Sequence, residues 1–232
     1  MSAAGPLPAT IAELADRAAE VLGPDVLAYV EGGSADEITL RGNAAAWTHL
    51  ALLPRLPADV AVRDLGVSFL GRERPHPLIA APMAYQRRIH AEGEAGAARG
   101  AAATGTVYCL STLATSTAAE VAAGAGPGPR WFQLYVLRDR GRTRELVAAA
   151  VEAGFEALVI TVDLPVLAAR DRELRAGFAL VTGDIPALRG RAGDTVTPRQ
   201  TTDHIDASLT WDDIASIAAD SGLPLVVKGL LT

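Results

Sequence analysis

The sequence predicts a parallel α/β protein, and three observations carry that expectation. Short apolar runs rich in β-branched and aromatic residues fall at 78–84, 106–111, 131–136 and 157–163. Their starts are spaced by roughly 25 residues, room for one strand, one helix and two short loops, which is the repeat of a βαβ array. The runs are continuously apolar rather than alternating, so both faces of each strand should be covered.

The elements follow in order. Residues 10–30 read as a helix, with Ile11, Leu14, Ala18, Val21 and Leu22 spaced for one face, and Glu31-Gly32-Gly33-Ser34 breaks it. This preface is too short for a separate domain and is expected to pack across the strand array. Between the third and fourth runs, residues 142–153 place Leu146, Val147, Ala150 and Val151 on one stripe, with Gly154 as the stop. A second crossover helix begins at Thr210, whose hydroxyl can cap it with Asp213 three residues on, and leads into a fifth strand at 224–229. Residues 164–209 interrupt the period. A connection of that length leaving the C-terminal end of the fourth strand is either a lid over a site or a disordered segment. The chain is read as one domain, 1–232, with 1–77 a helical lead-in and 78–232 carrying five strands and the lid-like loop 164–209.

Composition narrows the function classes. Half of the 232 residues are hydrophobic, enough for a large core. The formal charge of -6 offers no basic face for a nucleic acid, so none is expected as a partner. Met1 to Thr10 lacks a basic stretch followed by an apolar one, and no segment is apolar for about 18 residues, so a soluble cytoplasmic protein without a membrane partner is expected. The single Cys109 lies in Val107-Tyr108-Cys109-Leu110 and reads as a buried thiol. His49, His76, His90 and His204 show no metal-binding spacing, so no metal is expected.

Neither G-x-G-x-x-G after the first strand nor a P-loop occurs, which leaves dinucleotide and nucleotide-phosphate sites unsupported. Periodicity cannot choose between an open doubly wound sheet and part of an eight-stranded barrel. Polar residues at strand ends, Gln133, Thr161, Asp163 and Lys228, mark where chemistry would sit. Lys228 either meets an anion or polar ligand, or snorkels from a strand terminus.

Taken together, Ala81-Pro82-Met83-Ala84, Glu92-Gly93-Glu94, Leu110-Ser111-Thr112, Phe132-Gln133-Leu134-Tyr135, Thr161-Val162-Asp163 and Val227-Lys228-Gly229 form an ordered set. It resembles the FMN-dependent 2-hydroxy-acid dehydrogenases and oxidases, such as glycolate, lactate and mandelate oxidases, from Tyr29 to the end of the chain. The resemblance implies a TIM (β/α)8 barrel, here its first five strands, with FMN at the C-terminal mouth. It implies that the main chain of Pro82, Met83 and Ala84 lines the flavin near N5. Ser111, Gln133 and Thr161 would hydrogen-bond the pyrimidine end, and Lys228 would stand by N1 and O2, favouring the anionic reduced ring. Tyr29, Tyr135 and Arg170 would receive a small 2-hydroxy carboxylate, and oxygen or another acceptor would reoxidise the flavin.

The sequence departs from that pattern in three places. Ala168-Ala169-Arg170 stands where the family has Gly-Arg-Arg, and Tyr85 is similar to the mandelate-type oxidases, suggesting an aromatic acid. The family continues beyond the Lys-Gly strand through Ser-Asn-His-Gly-Gly-Arg, which these residues do not contain. The base histidine is therefore absent from this chain, which reads as C-terminally truncated. Two other classes stay open. One is a non-catalytic fragment or subunit whose strand edges pair with a second copy or a complementing chain. The other is a Schiff-base barrel lyase using Lys228.

Overall fold

The computed structural model describes residues 8–190 and 193–231. Residues 1–7, most of the stretch read for a leader, lie outside them. In chain order the main elements are α1 (Ile11–Val21), α2 (Pro24–Glu31), α3 (Ile38–Ala46), β1 (Val67–Phe69), β2 (Arg72–Arg74), β3 (Ile79–Ala80), α4 (Gly93–Ala103), β4 (Val107–Ser111), α5 (Ala118–Ala125), β5 (Arg130–Leu134), α6 (Arg140–Glu152), β6 (Ala157–Thr161), α7 (Asp171–Ala176), β7 (Leu180–Val181), β8 (Thr195–Val196), α8 (Pro198–Thr202), α9 (Trp211–Ser221) and β9 (Leu225–Lys228). They form two compact units, Met1–Leu52 with Ala168–Phe178, and Leu53–Leu167 with Ala179–Thr232.

In the first unit the single helix expected over 10–30 is two. Pro24 occupies the first turn of α2, where its missing N–H costs nothing, and Gly23 caps that helix in extended conformation. Thr10 caps α1 by accepting from the amide of Glu13. Ile11 and Val21 are 84% and 81% exposed, so the apolar stripe of α1 is not buried as its spacing suggests.

The second unit is built on a parallel sheet in the order β3-β4-β5-β6-β9. Consecutive order without a reversal is the arrangement of a barrel, whereas a doubly wound sheet changes direction at a switch point. Side chains alternate across it. Tyr108, Leu110, Phe132, Leu134, Leu158 and Ile160 pack against Ala98 of α4, Val121 of α5, Val147 of α6 and Ile214 of α9. Val107, Cys109, Trp131, Ala157 and Val159 form the opposite face, and Phe69 of the β1–β2 hairpin meets Trp131 edge-on at 6.5 Å. Arg72 and Arg74 of the hairpin both pair with Glu156, just ahead of β6.

The crossover helices follow their sequence signals. Thr210 and Asp213 form the expected capping box of α9. On α6 the buried set is Thr143, Val147 and Ala150, while Val151 is 42% exposed. Thr143 takes its place because its hydroxyl accepts from the amide of Leu137 at 2.9 Å.

The segment expected as an irregular lid carries structure. Its residues 179–209 hold the β7–β8 pair and α8. Arg142 of α6 donates to the carbonyls of Pro186 and Ala187 at 2.7 and 3.1 Å, and the amide of Asp206 donates to Val136 at 2.8 Å. Those bonds replace the regular pattern that the sequence lacks. Among the described residues no helix is long and apolar enough to cross a membrane.

Cys109 is 2% exposed, and burial pushes its thiol up to about 12 against the smaller opposing pull of the Lys228 charge. The folded chain should therefore resist a disulfide reagent at pH 8 and react fully in guanidinium. Native labelling at the rate of a free thiol would contradict this packing.

Candidate functional site

The alternation that sends Val107, Cys109, Trp131, Ala157, Val159 and Val226 to one face sends Ser111, Gln133, Thr161 and Lys228 to the same face, at the C-terminal strand ends. The register pairs Ser111 with Gln133 and Thr161 with Lys228. An apolar floor thus ends in a polar row.

Gln133 is 1% exposed and organises that row. Its Oε1 accepts from the Ser111 hydroxyl at 3.2 Å and the Thr112 amide at 3.3 Å, and its Nε2 donates to Thr161 Oγ1 at 3.0 Å. The Thr112 N–H fixes the orientation of the side-chain amide, because a flipped group would set donor against donor. The polarity then propagates. Thr161 accepts from Gln133 and has its own proton to give, whereas Ser111 spends its proton on Gln133, accepts from the Leu113 amide at 3.1 Å and offers a lone pair. Thr112 locks the neighbouring strands by donating to the Gln133 carbonyl at 2.7 Å and accepting from the Tyr135 amide at 2.8 Å.

Pro82, Met83 and Ala84 follow β3 and lead into Tyr85, which is 2% exposed and left-handed at φ 60°. The amide of Tyr85 donates to Leu113, and its hydroxyl lies 3.1 Å from Thr201 Oγ1. The buried Tyr85 side chain thus reaches from this turn to α8. Gln86 donates through Nε2 to the Met83 carbonyl at 3.2 Å and to the Tyr108 hydroxyl at 3.0 Å.

Beneath these loops lies Glu94, 0% exposed. Its carboxylate accepts from the amides of Gln86 and Thr115 at 3.1 and 2.7 Å and from the hydroxyls of Thr115 and Ser116 at 2.7 and 2.8 Å. Burial raises its pKa, but these donors together outweigh burial and hold the carboxyl below its ordinary range. Sequence reasoning did not single out Glu94, Gln86 or Thr112 for a role. Glu94 was visible only as a member of Glu92-Gly93-Glu94, where an acid in the first turn of a helix reads as a dipole partner.

Lys228 is 44% exposed, with Nζ 4.0 Å from Asp163 Oδ1. It thus sits half open at a strand terminus, beside a carboxylate. Gly229 follows at φ 108°, and a Cβ there would lie 2.5 Å from Asp163 Cγ, so the strand leaves the site through a position that only glycine fits. Tyr135 is half-buried, and burial, followed by the charge of Asp163, pushes its phenol up.

Tyr29 and Arg170 belong to the other unit, where the structure brings them together. The Arg170 guanidinium lies 5.1 Å from the Tyr29 ring centroid, and Phe178 stacks on that ring at 4.5 Å. Arg170 donates to the carbonyls of Tyr29 and Gly32, both at 2.6 Å, and pairs with Glu173 at 2.9 Å. With Arg172, which donates to the Glu31 carbonyl at 2.9 Å, it satisfies the C-terminal end of α2.

The sequence profile of the family described as FMN-dependent dehydrogenase matches residues 18–232. The chain is 41% identical over 218 residues to an L-lactate oxidase of Nostoc sp., covering 88% of this chain and 59% of the relative. It is 37% identical over 212 residues to the glycolate oxidase of Spinacia oleracea, covering 88% and 57%. A solved structure of a mandelate oxidase superposes with a TM-score of 0.86 at 34% identity, covering 97% of this chain and 64% of that one. The chain thus spans about three-fifths of the length of the proteins it matches.

The depressed pKa of Glu94 has a thermodynamic sign. A carboxyl that is more acidic when folded contributes stability that is present above its unfolded pKa and lost as pH falls through its folded pKa. Thermal melts of the wild-type chain should therefore drop more steeply than those of Glu94→Gln as pH falls below about 4, the ordinary carboxylate range. Parallel curves for the two chains would contradict the hydrogen-bonded carboxylate.

Proposed function

This chain belongs to the FMN-dependent dehydrogenase family, and on that premise we propose that it supplies the flavin-ring side of a site oxidising a 2-hydroxy acid to a 2-oxo acid. The observation that carries the reading is the Ser111–Gln133–Thr161 row at the strand mouth, above a sealed apolar floor. Its chemistry fits one end of an isoalloxazine. The row offers a Thr161 proton, a second Gln133 Nε2 proton and a Ser111 lone pair side by side, and a pyrimidine edge carries both acceptors and a donor. A bound FMN would supply hydride-accepting chemistry for the carbon bearing the hydroxyl.

This chain's residues would bind and orient. Pro82, Met83 and Ala84 would line the ring near N5 with main chain held by Gln86. Lys228 would place positive charge by N1 and O2, and its open position leaves the ammonium free to approach a ligand. Tyr135 would face the substrate with a phenol that can donate its proton in a hydrogen bond. Tyr29 and Arg170 would address the substrate carboxylate, although the Arg170 terminal nitrogens already bind two carbonyls and Glu173. Proton removal is assigned to none of these residues. His90 Nδ1 accepts from the Glu92 amide, and the hydrogen bonds of the polar row run among Ser111, Thr112, Gln133 and Thr161 without either His90 or His204.

Titration with FMN and with riboflavin tests the proposal on the 232-residue chain. The residues named above address only the ring that the two ligands share, which predicts that both bind weakly and equally well. Gln133→Leu should weaken both about tenfold or more, because it leaves buried partners unsatisfied. Anaerobic mixing with glycolate, lactate or mandelate should give no flavin bleaching at enzymatic rates, since a general base is typically worth about 10²–10⁴-fold. FMN binding far more tightly than riboflavin, or an unchanged Gln133→Leu, would overturn the reading.

A further inference from the structure

Glu94 stands at the start of α4, yet its donors come from elsewhere. One is the Gln86 amide, in the turn after β3, and the others are the Thr115 amide and the Thr115 and Ser116 hydroxyls, in the loop after β4. Both loops leave the C-terminal ends of adjacent strands, where the polar row begins.

The carboxylate is not the only tie between these loops, and one of the two others converges on it through the Thr115 hydroxyl. The Tyr85 amide donates to the Leu113 carbonyl at 3.2 Å, and the Arg87 amide donates to Thr115 Oγ1 at 3.2 Å. Gln86 passes the constraint on, since the residue whose amide Glu94 holds also binds the Met83 carbonyl through its side chain. The turn needs such restraint. Tyr85 adopts a left-handed backbone that an aromatic residue rarely takes, so its conformation must be imposed from outside. A carboxylate suits the place because it is acceptor-only and can receive all four donors at once.

We propose that Glu94 is a positioning residue for the flavin-facing turn, fixing the Met83 and Ala84 backbone by clamping the loop after β3 to the loop after β4. This rests on the flavin reading above for its consequence, and on the geometry alone for the clamp. Glu94 touches neither ring nor substrate, and acts through Gln86.

Two readouts on the 232-residue chain test it. In Glu94→Ala, amide exchange at residues 83–88 and 113–116 should accelerate together by about tenfold or more, while Leu158 and Ile160 keep their protection. Riboflavin affinity should fall with it. Glu94→Gln should restore much of both, because Oε1 keeps its two amide donors and the hydroxyls can turn to accept from Nε2. Val121→Ala serves as the stability control. It opens a cavity under α5 with the side chain 0% exposed, and should lower the melting temperature without changing riboflavin affinity.

If Glu94→Ala fails to fold, Thr115→Val removes one hydroxyl donor on the loop after β4 while leaving the Thr115 amide and the Ser116 hydroxyl in place, and should give the same effect at smaller size. Loop protection and riboflavin affinity that respond to Glu94→Ala no more than to Val121→Ala would overturn the proposal. A wild-type chain that binds no riboflavin would sink the flavin reading alone, and loop exchange would still decide the role of Glu94.

Discussion

A parallel strand covered on both faces must send every second side chain into the same layer, and this constraint organises the second unit. On one face the layer is filled by Tyr108, Leu110, Phe132, Leu134, Leu158 and Ile160 against helices. Burying an aliphatic or aromatic side chain of that size stabilises by about 1.5–3 kcal/mol, so this face supplies much of the cohesion of the sheet. The other face is apolar only as far as Cys109, Trp131 and Val159. One step further along each strand the same direction belongs to Ser111, Gln133 and Thr161, where the sheet stops being core and becomes site.

That change of character is held in place by pairing rather than by exposure. Gln133 is as buried as the leucines beside it, and a buried amide left unpaired would cost about 1–3 kcal/mol for each unmet group. Its bonds to Ser111, Thr112 and Thr161 meet that cost and at the same time impose an order of donors and acceptors. The loops above are tied by a charge. Glu94 accepts from both of them, and Gln86 extends the tie to Met83, so a strained turn at Tyr85 is held from two sides.

Much of this was legible in the sequence where one local signal decides the structure. The strand cores were marked by apolar runs, the start of α9 by Thr210 and Asp213, and the polar row by residues out of place in those runs. The barrel-like order was not legible in the periodicity, because the spacing of βαβ units is the same in a doubly wound sheet, and came only from the family resemblance of the ordered motifs. The break at Gly23-Pro24 was overlooked because the apolar spacing runs across it, although proline at a first turn is itself a start signal. The order within 179–209 depends on Arg142 reaching Pro186 and Ala187, a contact between residues far apart in the chain that no local pattern announces. Glu94 escaped for the same reason: a buried carboxylate is recognisable only when its donors are in view.

The central claim is that the row centred on Gln133 receives a flavin ring. A ¹H–¹⁵N correlation spectrum of the chain, with Gln133 assigned, tests it directly as riboflavin is added. The account predicts that the Gln133 side-chain amide and the Thr112 backbone amide shift together and saturate together. Shifts that leave both unmoved while residues such as Val151 and Ile217 on the outer helices respond would place the ligand elsewhere and contradict the account.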